Sequence, residues 1–135
     1  MPKRLSNSVK VRYAPSKAKV EKILSAYMGR LQAKYDLRFA VLFGSYAKGS
    51  YSFGSDIDVL IVASDLPKDL TKRFSALLDL ELPIQIQTFG YTIEEFTKML
   101  SEEHPFITEV LRKGEVLYAT PDYRNLIQTR CLQVR

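Results

Sequence analysis

Apolar residues recur along this chain with two different periods, and their succession predicts the order of elements. From Pro15 to about Lys34, Val20, Ile23, Leu24, Tyr27 and Leu31 recur at spacings of three and four with lysines between them, as on an amphipathic helix. Phe39–Phe43 is then a continuous apolar run, the pattern of a strand buried on both faces. Gly44 ends it, and a Gly-, Ser- and Tyr-rich loop runs to Ser55. A second buried strand follows over Ile57–Ala63, with Asp56 and Asp58 at its entrance. Pro67–Leu80 reads as a helix opened by its proline, with Leu70, Phe74, Leu77 and Leu78 as its apolar positions. Pro83 opens a third strand, Ile84–Phe89. Thr92 and Glu95 have the spacing of a capping box, so a helix starts there. Pro105 starts another helix that Gly114 ends, before a last strand at Val116–Tyr118.

This succession predicts an α/β sheet domain of about four strands. It divides the chain into a basic arm (1–14), a central domain (15–119) and a tail (120–135). The arm alternates at Val9, Val11 and Tyr13, compatible with an edge strand or an extended segment. The tail carries Tyr123, Leu126, Ile127 and Val134 on a loosely helical stripe, able to dock on this domain or on another subunit.

Composition narrows the class. The chain has 135 residues, 46% of them hydrophobic and 26% charged, enough for one domain with its own core and incompatible with wholesale disorder. One cysteine, Cys131, excludes an internal disulfide or a cysteine metal cluster, and reads as a small apolar contact. No run of eighteen apolar residues offers a membrane span, and the start has no signal-peptide pattern, so the expected location is the cytoplasm. The net charge of +5 is unevenly spread. Residues 1–48 hold eleven Lys/Arg against Glu21 and Asp36, and the remainder is net acidic. A basic front half suits an anionic partner, RNA or nucleotide phosphates among them, or simply solvates an outer helix face.

The candidate chemistry lies between the first two strands. Residues two apart on a strand point to one side, so Asp56 and Asp58 present two carboxylates from one face. Such oxygen donors suit Mg²⁺, which takes one or two carboxylates alongside substrate phosphates; two such ions can serve an in-line phosphoryl displacement. Gly44 permits close backbone approach to a ligand. If Ser45–Lys48 begin a helical turn, their N–H groups form an anion site, to which Ser45 adds a hydroxyl and Lys48 a charge. An isolated Asp-x-Asp is more often a turn cap and a solvated strand start; Gly-Ser followed ten residues later by Asp-x-Asp is far more specific. His104 and the loop tyrosines Tyr46 and Tyr51 read as a cap and as packing groups.

At these residues the chain resembles the polymerase-β-type nucleotidyltransferase superfamily, and within it the small minimal nucleotidyltransferases. The hallmark stands without a gap: Gly44-Ser45, ten residues, then Asp56-Ile57-Asp58, with Phe-Gly-Ser-Tyr-Ala-Lys-Gly at 43–49 and Ser55 before the aspartates. The resemblance implies the nucleotidyltransferase palm fold, an α/β (α+β) arrangement with a mixed β-sheet of about four strands flanked by helices, and transfer of a nucleoside monophosphate from ATP or another NTP to a hydroxyl. It implies nucleotide contacts from Gly44, Ser45, Lys48 and Ser55, and Mg²⁺ held by Asp56 and Asp58, the catalytic pair. It also implies a partner, since many small members act as antitoxins of a HEPN-domain protein, some by adenylylating it. One departure stands out. Active relatives place a third carboxylate on the next strand, and the matching segment here carries Gln85 and Gln87 on one face, with Gln85 at the third-ligand position. Glutamine offers a neutral oxygen but no base. That opens the alternative of a degenerate nucleotidyltransferase-fold module that binds protein or RNA without transferring anything.

Overall fold

The computed structural model describes residues 16–44, 57–78, 82 and 84–134. Helix α1 (Lys17–Lys34) is capped by Ser16, whose hydroxyl accepts from the Lys19 amide at 3.2 Å. Strands β1 (Leu37–Phe43) and β2 (Ile57–Ala63) follow, then helix α2 (Leu70–Leu77), strand β3 (Ile86–Tyr91), helices α3 (Ile93–Ser101) and α4 (Pro105–Lys113), strand β4 (Glu115–Ala119) and helix α5 (Pro121–Val134).

The strands form one sheet in the order β3-β2-β1-β4. The β1–β2 and β1–β4 pairs are antiparallel and β2–β3 is parallel, so the sheet is mixed, as the resemblance implied. Its two central strands are the two apolar runs. They are buried on both faces because helices cover both. Ala40 and Leu42 of β1 and Val59 and Ile61 of β2 pack toward α1 and α2. Their alternates, Phe39, Val41, Leu60 and Val62, pack toward Phe96 of α3, Ile107 and Val110 of α4 and Tyr123 of α5. Tyr123 stacks on Phe39 with ring centroids 5.6 Å apart, so the tail's aromatic joins this chain's own core.

Both capping signals read from the sequence are present. Thr92 accepts from the Glu95 amide at 3.2 Å while Glu95 accepts from the Thr92 amide at 2.9 Å. His104 caps α4, its Nδ1 accepting from the Phe106 amide, and Gly114 closes that helix. Helix α2 departs from expectation. It starts at Leu70 under an Asp69 cap, not at Pro67, and ends at Leu77. Of its four apolar positions only Leu77 is buried, whereas Leu70, Phe74 and Leu78 face solvent and Arg73 is buried in their place.

Arg73 accounts for that rotation. Its guanidinium donates to the carbonyls of Pro67 at 2.7 Å and Gly90 at 3.1 Å and to both carboxylate oxygens of Glu95. A buried guanidinium is tolerable only when its donors are satisfied, and here backbone and carboxylate satisfy it. Pro67 therefore serves as an acceptor before the helix rather than as its first residue. Burial pushes the Glu95 carboxyl up, but hydrogen bonds from Arg73 and Thr92 outweigh it and hold the group below its ordinary value.

Candidate functional site

The end of β1 and the start of β2 lie side by side because the pair is antiparallel. Phe43 is the register partner of Asp58, and Gly44 follows directly. Gly44 has φ +86°, the left-handed region that favours glycine. It has a second reason to be glycine: a Cβ there would fall on a carboxylate oxygen of Asp58 and stand 3.3 Å from its Cγ. The glycine and the aspartate, fourteen positions apart in sequence, are thus in van der Waals contact across the strand ends. The half-buried Asp58 side chain is engaged within the fold.

The parallel pairing brings in the third strand. Asp58 is the register partner of Gln87, so Phe43, Asp58 and Gln87 point to the same side of the sheet. Gln85 lies one residue before β3 begins, and both glutamines are exposed. The residue level with Asp58 is therefore Gln87, not Gln85, which precedes it by two positions. Neither supplies a negative charge. Ser45, Lys48, Ser55, Asp56, Tyr46 and Tyr51 lie outside the described residues, as does the arm with Val9, Val11 and Tyr13. Among the described residues, then, Gly44, Asp58 and the two glutamines converge, and His104 is occupied as a helix cap.

Reading the sequence did not single out the aromatic neighbours of this group. Phe43, Phe89 and Phe106 form a triangle with centroid separations of 5.4, 5.5 and 5.6 Å. Phe89 is two residues beyond Gln87 on the same face, and Phe106 comes from the first turn of α4. The half-buried triangle is an apolar wall on the side to which Asp58 points. The signal available was the shared parity of Gln87 and Phe89; the contribution of α4 required the tertiary fold.

Chemically, this end of the sheet offers a carboxylate, a glycine that leaves room above it, two neutral amide side chains and a hydrophobic wall. The oxygen donors fit a hard divalent cation, whose set would be completed by a nucleotide's phosphates. Groups of three or more metal-ligating side chains are absent among the described residues. No described helix is long and apolar enough to cross a membrane.

Comparison with known proteins bears on the family and the fold. A family model described as polymerase beta nucleotidyltransferase matches residues 21–123. The protein MJ0604 of Methanocaldococcus jannaschii, provisionally named a protein adenylyltransferase, is 36% identical over 100 residues, covering 73% of this chain and 97% of its own length. The protein adenylyltransferase MntA of Thermococcus cleftensis is 28% identical over 74 residues, covering 51% of this chain and 75% of its own. A toxin–antitoxin crystal structure with AMP-PNP superposes with a TM-score of 0.56 at 20% identity, over 82% of this chain and 85% of that one. The MntA–HepT toxin–antitoxin structure gives a TM-score of 0.52 at 16% identity, over 87% and 86%. These structural likenesses bear on the fold, an α+β arrangement of helices around a four-stranded mixed sheet.

Proposed function

We propose that this chain, which belongs to the polymerase-β nucleotidyltransferase family, binds Mg²⁺-ATP at the Gly44–Asp58 end of its sheet and transfers AMP to a hydroxyl of a separate HEPN-type partner protein. The observation that carries the reading is the contact between Gly44 and the Asp58 carboxylate, because it joins the two halves of the motif in space. Relatives named as protein adenylyltransferases and toxin–antitoxin neighbours support the acceptor class.

In this reading Gly44, Ser45, Lys48 and Ser55 hold the triphosphate, and Asp56 and Asp58 hold the metal. When bound, Mg²⁺ offsets charge on the phosphates and on the attacking oxygen. The acceptor hydroxyl oxygen bonds to the α-phosphorus as the bond to the bridging oxygen breaks, and pyrophosphate leaves with the electron pair. The hydroxyl's proton goes to an aspartate of the pair or to solvent, since β3 presents glutamines. Gly44 keeps the space above Asp58 clear, and the phenylalanine wall limits water on one side of it.

A second reading has its own observation. Gln87 stands level with Asp58 where a third carboxylate would complete the site. The chain would then be a binding module that neutralises a protein, or binds RNA through its basic first half, without chemistry. Incubation with α-labelled ATP, Mg²⁺ and the partner separates the two. Transfer predicts label on the partner that the Asp56→Ala/Asp58→Ala variant loses. Partner binding without label, unchanged in that variant, establishes the module and overturns transfer.

A further inference from the structure

Strand β4 is an edge of the sheet, paired among the described residues to β1 alone. Between it and α1 runs a groove of about 460 Å³. Leu24, Met28 and Leu42, all buried, form its floor, and Val116, 45% exposed, stands open on its β4 wall. The α1 wall extends from Lys17 to Gln32, about 22 Å at the rise of a helix. Each wall carries an exposed acid, Glu21 on α1 and Glu115 on β4, and neither makes an ion pair with the described residues. Lys17 is the one cation among the described residues that line the groove.

The chain itself supplies an occupant. Residues 1–15 join α1 through its Ser16 cap, the residue before Lys17, so this segment starts at one mouth of the groove. It carries Lys3, Arg4, Lys10 and Arg12 and no acid, against the acid on each wall. Its alternation puts Val9, Val11 and Tyr13 on one side of an extended chain and Lys10 and Arg12 on the other. At about 3.3 Å per residue, 9–14 span about 20 Å, close to the length of the helical wall. Tethering decides between this segment and one from outside. Three apolar residues bury too little to offset the translational and rotational freedom that a separate molecule loses on binding. A segment joined to the wall through Ala14, Pro15 and Ser16 loses none of it, and acts at an effective concentration on the order of millimolar.

The topology also restricts how the segment lies. Helix α1 turns directly into β1, so a segment returning along α1 toward Ser16 runs parallel to β1. Paired to the outer edge of β4 as a fifth strand, it would make α1 a crossover between parallel strands. That crossover would have the hand opposite to β2–α2–β3, whose helix lies on the same side of the sheet. Parallel crossovers are right-handed in nearly all proteins, so a fifth strand is disfavoured. We propose that residues 9–13 lie extended in the α1–β4 groove, on the helix side of β4. Val9, Val11 and Tyr13 then face the floor and Val116, and Lys10 and Arg12 stand beside Glu21 and Glu115. The basic arm is thereby part of the domain and covers the apolar side of its open strand, independently of any chemistry at Asp58.

The test is NMR on the isotope-labelled full chain, reading nuclear Overhauser contacts and backbone order parameters. The expected result is contacts from the Val9 and Val11 methyls to Leu24 and Val116, with order parameters over 9–13 near the ~0.85 of rigid backbone. Val9→Asp/Val11→Asp should lose those contacts and bring the order parameters below ~0.6. Glu21→Lys/Glu115→Lys should raise the undocked fraction about fivefold. Wild-type order parameters below ~0.6, without the contacts, overturn the proposal, and this reading stands whether or not the variants fold. An arm that stays ordered in the aspartate variant overturns it too, since the apolar side would then not hold it. Contacts that appear only between labelled and unlabelled copies in a mixed sample assign the groove to a second copy's arm and overturn it as well. An undocked fraction unchanged by the lysines overturns the pairing with these acids.

Discussion

The two ends of the sheet hold their polar groups in different ways. At the end where β1 begins and β2 and β3 finish, side chains are tied to one another and to backbone. Asp36 accepts from Arg38 at 2.8 Å and from Ser64 at 2.7 Å, its amide donates to Asp65, and Arg73, Glu95 and Thr92 form a second closed set. At the opposite end, about 20 Å away along the strands, Asp58 stands beside a left-handed glycine, two exposed glutamines and a wall of phenylalanines. The first arrangement fixes the fold. The second places hard oxygen donors in reach of a ligand and leaves β3 without a base. In the proposed reading, stability and chemistry are thus separated along the strand direction, and substitutions at the two ends should be separable as well.

The largest effect is expected at Gly44. Gly44→Val places a branched side chain onto the Asp58 carboxylate at positive φ. Transfer should fall by at least about 100-fold, with a stability loss of only about 1–3 kcal/mol. A rate near wild type would detach Gly44 from the site. Next is Arg73→Met at the opposite end. It leaves the Pro67 and Gly90 carbonyls and Glu95 without their donor, costing about 2–3 kcal/mol in denaturant unfolding. Activity per folded molecule should be unchanged, and a change would show that the ends are coupled.

The glutamines sharpen the comparison further. Gln85→Asp and Gln87→Asp each return a carboxylate beside the aspartate pair, and the correctly placed one should raise transfer about tenfold. The register puts Gln87 level with Asp58, and the better variant reveals which of the two glutamine positions the site needs. The smallest effect concerns acid. Glu95 and Asp36 both have carboxyls below their ordinary values. For Glu95, burial opposes the shift, but Arg73 and Thr92 outweigh it; for Asp36, the Arg38 bond leads, followed by Ser64. A carboxylate depressed in the folded state adds stability above its unfolded pKa and loses it as pH falls through the folded one. Tm should therefore hold near neutrality and decline below about pH 4.5, the ordinary glutamate value. Glu95→Gln should cost about 1 kcal/mol at pH 7 and flatten part of that decline.

Much of this was legible in the residues. The central strands announced themselves because helices bury both of their faces, so hydrophobicity alone marks them. The caps at Thr92 and His104–Pro105 are local and need no tertiary information. Helix α2 was misjudged for a physical reason. Periodicity treats every apolar residue as core-seeking, yet two of the partners of Arg73, Gly90 and Glu95, are distant in sequence and hold Leu70 and Phe74 outward. At the site, Gly-Ser and Asp-x-Asp were readable from spacing. The pairing of Gln87 with Asp58 was not, because register across a parallel crossover is set by how α2 packs. The Phe106 contribution was hidden likewise, since α4 reaches the site through the fold.

The separation of stability from chemistry is tested most directly at Asp58 itself. The measurement is the rate at which α-labelled AMP appears on the partner with Asp58→Asn, set against the Tm of the same preparation. The account predicts loss of at least about three orders of magnitude in rate, with Tm within about 3 °C of wild type because the amide is nearly isosteric. A rate within tenfold of wild type would contradict the assignment of the chemistry to this end of the sheet.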